Sequence, residues 1–240
     1  MFPVHDDNPV ESTPWVTFTI LGTCVAVFLW QFLSDPMMQE RILYALGVTP
    51  TLLFGHLRPA PEIDWIPSWA TMFSSMFLHG SWMHLISNMM YLWVFGNNVE
   101  VSMGHLRYLV FYLLTGVAAV MAQALPDTHS EIPMVGASGA ISGILGAYLL
   151  LHPRAQVLIV VPILFVIRAF RVPAMYVLGV WFLMQLFSTV TTLGASTSVA
   201  FGAHVGGFVA GMLLVGLFRK RGVPLDIPFL HFNPFQRRRG

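Results

Sequence analysis

Gly136-Ala137-Ser138-Gly139-Ala140-Ile141-Ser142-Gly143 places two hydroxyls and three glycines at the head of an apolar run that continues to Leu151. Gly139 and Gly143, four residues apart, have the spacing by which transmembrane helices pack closely. Ser138, at the opening of the same run, is also a candidate for chemistry. The composition sets the solvent in which these readings compete. With 56% hydrophobic and 10% charged residues and a mean hydropathy of +0.70, the chain lies far from soluble domains, which carry about 25% charge. It reads as an integral membrane protein of one domain.

Working outward, apolar runs predict six spans: about Val16 to Leu33, Ser81 to Val99, Tyr108 to Leu125, Ser138 to Leu151, Pro173 to Val190 and Val199 to Phe218. The fold class is therefore an all-α membrane protein, a six-transmembrane-helix bundle over residues 16–218. Residues 1–15 form an N-terminal segment without a basic residue, so the first run is expected to be retained rather than cleaved as a signal peptide. Residues 34–80 carry Pro50, Pro59, Pro61 and Pro67 among Trp65, Trp69, Phe73 and Phe77, and read as a structured interfacial loop between the first and second spans. The run Val157 to Ile167 is too short to span, contains Pro162 and is bracketed by Arg154 and Arg168, which predicts a re-entrant or interfacial segment. Residues 219–240 form a basic tail. The single cysteine, Cys24, excludes an internal disulfide.

Six spans put both termini on one side. With the tail inside, Arg107, Arg154, Arg168, Arg171 and the tail residues Arg219, Lys220, Arg221, Arg237, Arg238 and Arg239 are cytoplasmic, against Arg41 and Arg58 outside, as the positive-inside rule requires. The tail reads as an orientation anchor touching anionic lipid headgroups; no fold or patch supports nucleic-acid binding. The expected location is a bacterial cytoplasmic membrane. Spans two, four and six then all enter from the outer face, so residues near their starts share one depth.

That layer holds His79, His84 and Asn88 on span two, Ser138 on span four and His204 on span six. Ionisable groups within a bilayer are costly, about 2.5 to 3.5 kcal/mol on insertion scales, and so are functional candidates. Alone, a membrane serine is more often a packing or back-bonding residue, a buried histidine structural and an asparagine interhelical glue. Together they suit chemistry. Serine needs a base to become a nucleophile, and neutral imidazole is suited to remove its proton. Gly139, Gly143 and Gly146 can face Ala203, Gly207 and Gly211, which would bring Ser138 toward His204. His84 and Asn88, four residues apart, share a helix face and can both aim donors at one oxyanion. His79, five residues before His84, would face about 140° away on a continuous helix. His79, His84 and His204 as a metal site is the alternative, but no carboxylate or thiolate accompanies them. The order around Ser138 is also not the G-x-S-x-G elbow, which needs a preceding strand.

These residues carry a resemblance. His84-Leu85-Ile86-Ser87-Asn88, Gly136-Ala137-Ser138-Gly139 and Gly202-Ala203-His204 with Gly207 and Gly211, in this order on these spans, make the chain similar to the rhomboid intramembrane serine proteases over about Pro67 to Phe218. The resemblance implies a rhomboid-like bundle that hydrolyses peptide bonds of transmembrane protein substrates with a Ser-His dyad and no cofactor or metal. By position, Ser138 is then the nucleophile and His204 the base, with His84, Asn88 and the Ser138 N–H around the oxyanion; His79 and Glu100 match structural positions. Some members place a tyrosine four residues after the nucleophile, where this chain has Ser142, and the family's outer-loop Trp-Arg pair is replaced by Trp69-Ala70. The other class of function is a non-catalytic rhomboid-like binding protein that holds or escorts transmembrane clients.

Overall fold

A computed structural model describes residues 2–163, 166–191 and 199–226. The loop 192–198 and the basic residues at 237–239 lie outside the described part. A short strand β1 (Phe2–Asp6) leads to helix α1 (Trp15–Leu33). Helices α2 (Pro36–Leu46), α3 (Pro50–Leu53) and α4 (Thr71–Ser74) follow, with 3-10 turns at Ser68–Ala70 and Ser75–Phe77. Then come α5 (Trp82–Tyr91), α6 (Asn97–Met103), α7 (His105–Ala124) and α8 (Ser138–Leu151). Strands β2 (Gln156–Ile163) and β3 (Val166–Pro173) precede α9 (Ala174–Thr191) and α10 (Phe201–Phe218). Four of these helices, α1, α7, α9 and α10, are long and apolar enough to cross a membrane. The chain is a multi-pass membrane protein and mostly helical.

Two regions depart from the expected all-α layout. The second apolar run is helical from Trp82 to Met103, but a π-helical turn at Leu92–Gly96 interrupts it. A Cβ on Gly96 would lie 2.8 Å from the Tyr108 hydroxyl, so the bare glycine lets α7 approach. The run 157–167, expected to be re-entrant or interfacial, contributes to an antiparallel hairpin of β2 and β3, with Gln156 opposite Pro173 and Ile163 opposite Val166. β1 adds to its other side, Asp6 opposite Val157, and completes a three-stranded sheet. Backbone pairing across the sheet satisfies groups that a short apolar run could not satisfy as a partial helix.

The sheet sits at the C-terminal end of α8. There the Asp6 carboxylate accepts from Asn98 Nδ2 at 2.7 Å and from the Tyr148 hydroxyl. His152 Nε2 meets Ser102 Oγ at 3.1 Å beside it. Burial raises the Asp6 carboxyl above the usual carboxylate range, against the lowering effect of the Tyr148 hydroxyl. The folded chain therefore holds this proton more tightly than the unfolded chain. Stability contributed through Asp6 is present below the ordinary carboxylate value and declines as pH rises through the window up to the raised one. Amide hydrogen exchange of the β1 residues should accordingly slow, after correction for intrinsic rates, as pH falls into that window, and Asp6→Asn should flatten the dependence.

Glu100 ties α1 to α6. Its fully buried carboxylate accepts from the N–H groups of Val16 (2.9 Å) and Thr17 (2.7 Å) and from Thr17 Oγ1 (2.7 Å), and pairs with His105 Nδ1 at 2.6 Å. It thus satisfies two of the orphan donors at the N-terminus of α1, where negative charge is also favoured by the helix dipole. Residues 34–80 are ordered by caps and cross-links: Asp35 caps α2 through Met38 N–H at 3.0 Å, Ser74 Oγ donates to Leu46 O at 2.6 Å, and Val48 pairs with Met134. Thr51 N–H reaches Ser130 O at 3.0 Å, so this segment is fastened to the loop that leads into α8.

The centre of the bundle is α8 packed between α7 and α10. A Cβ on Gly207 would collide with the Gly139 carbonyl oxygen, one on Gly211 with that of Gly143, and one on Gly146 with that of Phe208. The glycine seam expected from the sequence is therefore present, with Gly139 and Gly143 set against Gly207 and Gly211, and Gly146 against Phe208. On the α7 side, Gly139 and Gly143 face Ala119 and Thr115. From Gly139 to Gly146, the backbone of α8 meets the backbone of α10.

Candidate active site

The seam fixes what stands at its upper end. Ser138 is the first residue of α8, so its N–H has no acceptor within the helix. His204 stands one turn into α10, and its Nε2 lies 2.9 Å from Ser138 Oγ. His204 Nδ1 lies 2.8 Å from Gln185 Oε1 on α9. Trp181, one turn earlier on α9, places its ring 5.9 Å from the imidazole at 37°, and Phe201 stands edge-on to it at 6.4 Å. The imidazole is flanked by these two rings and bonded at both nitrogens.

Gly136 arranges the approach to Ser138. Its φ of 126° belongs to the region that favours glycine, and its N–H donates to Ser75 O at 2.8 Å. A Cβ there would lie 2.7 Å from His84 Nε2 and 3.6 Å from Ser138 Oγ. His84 and Ser138 thus converge over one point of bare backbone. Gly80 N–H points at His84 Nδ1, 3.4 Å away. A nitrogen that accepts carries no proton, so this contact leaves the His84 proton on Nε2, facing Gly136. Asn88, on the same face of α5, is buried, and its Nδ2 has no partner among the described residues. An unpaired buried amide donor is costly unless a ligand supplies the acceptor.

These groups line a cavity of about 1050 Å³ that includes His84, Asn88, Ser138, Ser142, Trp181 and His204. A hydroxyl bonded to an imidazole, with two side-chain donors facing the same space, can pass a proton and hold a developing negative oxygen. The structure brings together all four residues singled out from the sequence: Ser138, His204, His84 and Asn88. His79 lies ahead of the expected second span, which begins at Ser81. It precedes α5, is fully buried, and sets its ring edge-on to His84 with centroids 5.1 Å apart. Among the described residues no three His, Cys, Asp or Glu side chains are grouped to hold a metal ion; both nitrogens of His204 already have other partners.

Ser142 turns back on its own helix, its hydroxyl donating to Ser138 O at 2.6 Å. Sequence reasoning passed over Gln185 and Gln123. Gln185 is a lone amide in an apolar span, a signal of the kind that marks intramembrane function, but it lies toward the end of its span, not at a start like the residues of spans two, four and six. Gln123 Oε1 accepts from Ala203 N–H at 3.2 Å and thereby caps α10 beside His204.

Comparison with known proteins bears on the family of the chain. Residues 67–221 match the Rhomboid domain family. The chain is 25% identical over 221 residues to "Rhomboid protein 1, mitochondrial" of Saccharomyces cerevisiae, covering 88% of this chain and 54% of that protein. It is 32% identical over 144 residues to "RHOMBOID-like protein 5" of Arabidopsis thaliana, 60% of this chain and 43% of that protein. With "Rhomboid protease GluP" of Bacillus subtilis it shares 27% identity over 139 residues, 58% of this chain and 25% of that protein. The chain spans about half the length of these relatives or less. Mitochondrial and chloroplast names stand beside the bacterial one, so these likenesses select no compartment, and the bacterial cytoplasmic membrane expected above is not supported by them. The match over 67–221, more than half of the chain, shows that this protein belongs to the rhomboid family.

Proposed function

We propose that the chain is an intramembrane serine endopeptidase that cleaves transmembrane protein substrates with Ser138 and His204. The observation that carries the reading is the 2.9 Å contact between Ser138 Oγ and His204 Nε2, within the range a general base requires. Ser138 Oγ attacks the scissile carbonyl carbon while its proton passes to His204 Nε2. The oxyanion is received by Asn88 Nδ2, His84 Nε2–H and the Ser138 N–H. The imidazolium then protonates the leaving amine, and water, deprotonated by His204, releases the acyl group from Ser138. Each step uses groups already on the cavity wall.

Six spans agree with this reading. The interrupted run Trp82–Met103 and the short helix α8 add to the four long apolar helices. Both termini then share the side where Arg107 reaches Arg219 O and Arg154 pairs with Asp226 at 2.8 Å, with residues 16–218 as the membrane domain, 1–15 and 219–240 as flanking segments, and lipid around the exposed apolar faces.

The test is covalent labelling of the full chain in liposomes by a serine-directed phosphonate, together with cleavage of a single-span reporter. Labelling confined to Ser138 with reporter cleavage is expected; folded protein that does neither would sink the assignment and favour a protein that holds transmembrane clients. Within the same assay, Asn88→Ala should lower kcat by about 100- to 1000-fold, the usual cost of an oxyanion donor, with KM little changed. An Asn88→Ala variant of full activity would remove Asn88 from the oxyanion site.

A further inference from the structure

Serine and histidine alone leave one matter of chemistry open. Imidazole accepts a proton at Nε2 only if its own proton sits on Nδ1, and nothing in Ser138 itself imposes that. Ser142, where some members of the family place a tyrosine, donates its hydroxyl to Ser138 O. The group that reaches the ring is Gln185 on α9. Its Oε1 lies 2.8 Å from His204 Nδ1, opposite the nitrogen that faces Ser138 Oγ.

A carbonyl oxygen can only accept, so this contact requires the proton on Nδ1 and clears the Nε2 lone pair for the serine. We propose that Gln185 is a positioning residue for His204, holding the imidazole in the tautomer and orientation that can take the Ser138 proton. The inference rests on the serine protease reading of the site.

The choice of amide over carboxylate suits the surroundings. α9 carries no charged side chain, and Gln185 is half-buried on it. An amide supplies the acceptor without the charge. Trp181, four residues earlier and so on the same helix face, closes the ring from the side at 5.9 Å. One face of α9 therefore contributes both the hydrogen bond and the aromatic wall that hold the base. α9 is also the least buried of the four long apolar helices. Orientation of the base thus depends on a peripheral helix rather than on the glycine seam that sets the Ser138–His204 distance.

The experiment uses the full chain in phosphatidylcholine–phosphatidylglycerol liposomes with a single-span reporter, and compares wild type, Gln185→Leu and Gln185→Glu. Gln185→Leu is expected to lower kcat about 10- to 100-fold with KM unchanged, as removal of a partner that orients a functional histidine does. Gln185→Glu, which keeps an acceptor, should recover most of that loss. Equal kcat for wild type and Gln185→Leu overturns the inference, and so does a Gln185→Glu variant as impaired as Gln185→Leu. A second readout needs no turnover: ring 15N spectra of histidine-labelled protein, with the His204 signals identified by their loss in His204→Ala. Wild type should show a protonated Nδ1 and a bare Nε2, and Gln185→Leu a mixture of tautomers. A wild-type ring protonated on Nε2 overturns the inference in folded protein. Failure of wild type to cleave the reporter strikes the protease reading itself, and is told apart from failure at Gln185 because the tautomer is read independently.

Discussion

Replacing Ser138 with alanine is expected to reduce reporter cleavage by about 10,000-fold or more, the scale on which serine hydrolases lose turnover without their nucleophile. In the proposed mechanism the hydroxyl bonds to the substrate, and the next hydroxyl along α8, Ser142 Oγ, is committed to Ser138 O. His204→Ala should fall by a similar factor, because the unassisted hydroxyl is a poor nucleophile at neutral pH. The double variant should be little worse than either single one, since the two residues act as a unit. Cleavage rates in liposomes, with circular dichroism to show that each variant is folded, decide the matter. Additive losses in the double variant would mean that the 2.9 Å contact is not used in the reaction.

The second large effect is expected at Gly207, which lies in the seam between α10 and α8. A methyl group there would run into the Gly139 carbonyl oxygen and lie 3.3 Å from Ala119 Cβ. Backbone cannot swing aside as a flexible side chain can, so α10 must move away from α8. Overpacking of this kind costs about 1 to 3 kcal/mol. Gly139 follows Ser138 directly, and a shift of about 1 Å at reacting groups can cost 100-fold in rate. Gly207→Ala should therefore lower both the melting temperature and the activity. Gly216→Ala on the same helix is the control, because nothing lies within 4 Å of its added Cβ; it should be neutral or stabilise by up to about 1 kcal/mol through helix propensity. Equal melting temperatures for the two variants would contradict the backbone seam.

The seam was legible in the sequence because glycines at a spacing of four report on what a helix face must touch. For the same reason α8 begins at Ser138 in the structure, where the apolar run begins. The site was legible through polar residues that an apolar span does not otherwise tolerate. The β2–β3 hairpin was not. A short apolar run of strand length looks the same whether it is a strand or a buried helical piece, and its third strand, Phe2–Asp6, lies some 150 residues earlier in the chain. Gln185 was missed for a different reason. A single amide in α9 has no periodicity to announce it, and only the folded chain shows that its carbonyl faces His204.

The length of α8 has a consequence of its own. Fourteen residues at about 1.5 Å each make a rod of about 21 Å, against about 30 Å of hydrocarbon. Its lower end is moored, Tyr148 to Asp6 and His152 to Ser102. The upper end, and Ser138 with it, must then stop short of the opposite surface by several ångströms. The number of residues in one helix acts as a gauge of how deep water has to be admitted. Inserting one residue between Ser142 and Tyr148 would raise the hydroxyl by about 1.5 Å and swing it about 100°, so the gauge reads in whole residues and has no intermediate setting.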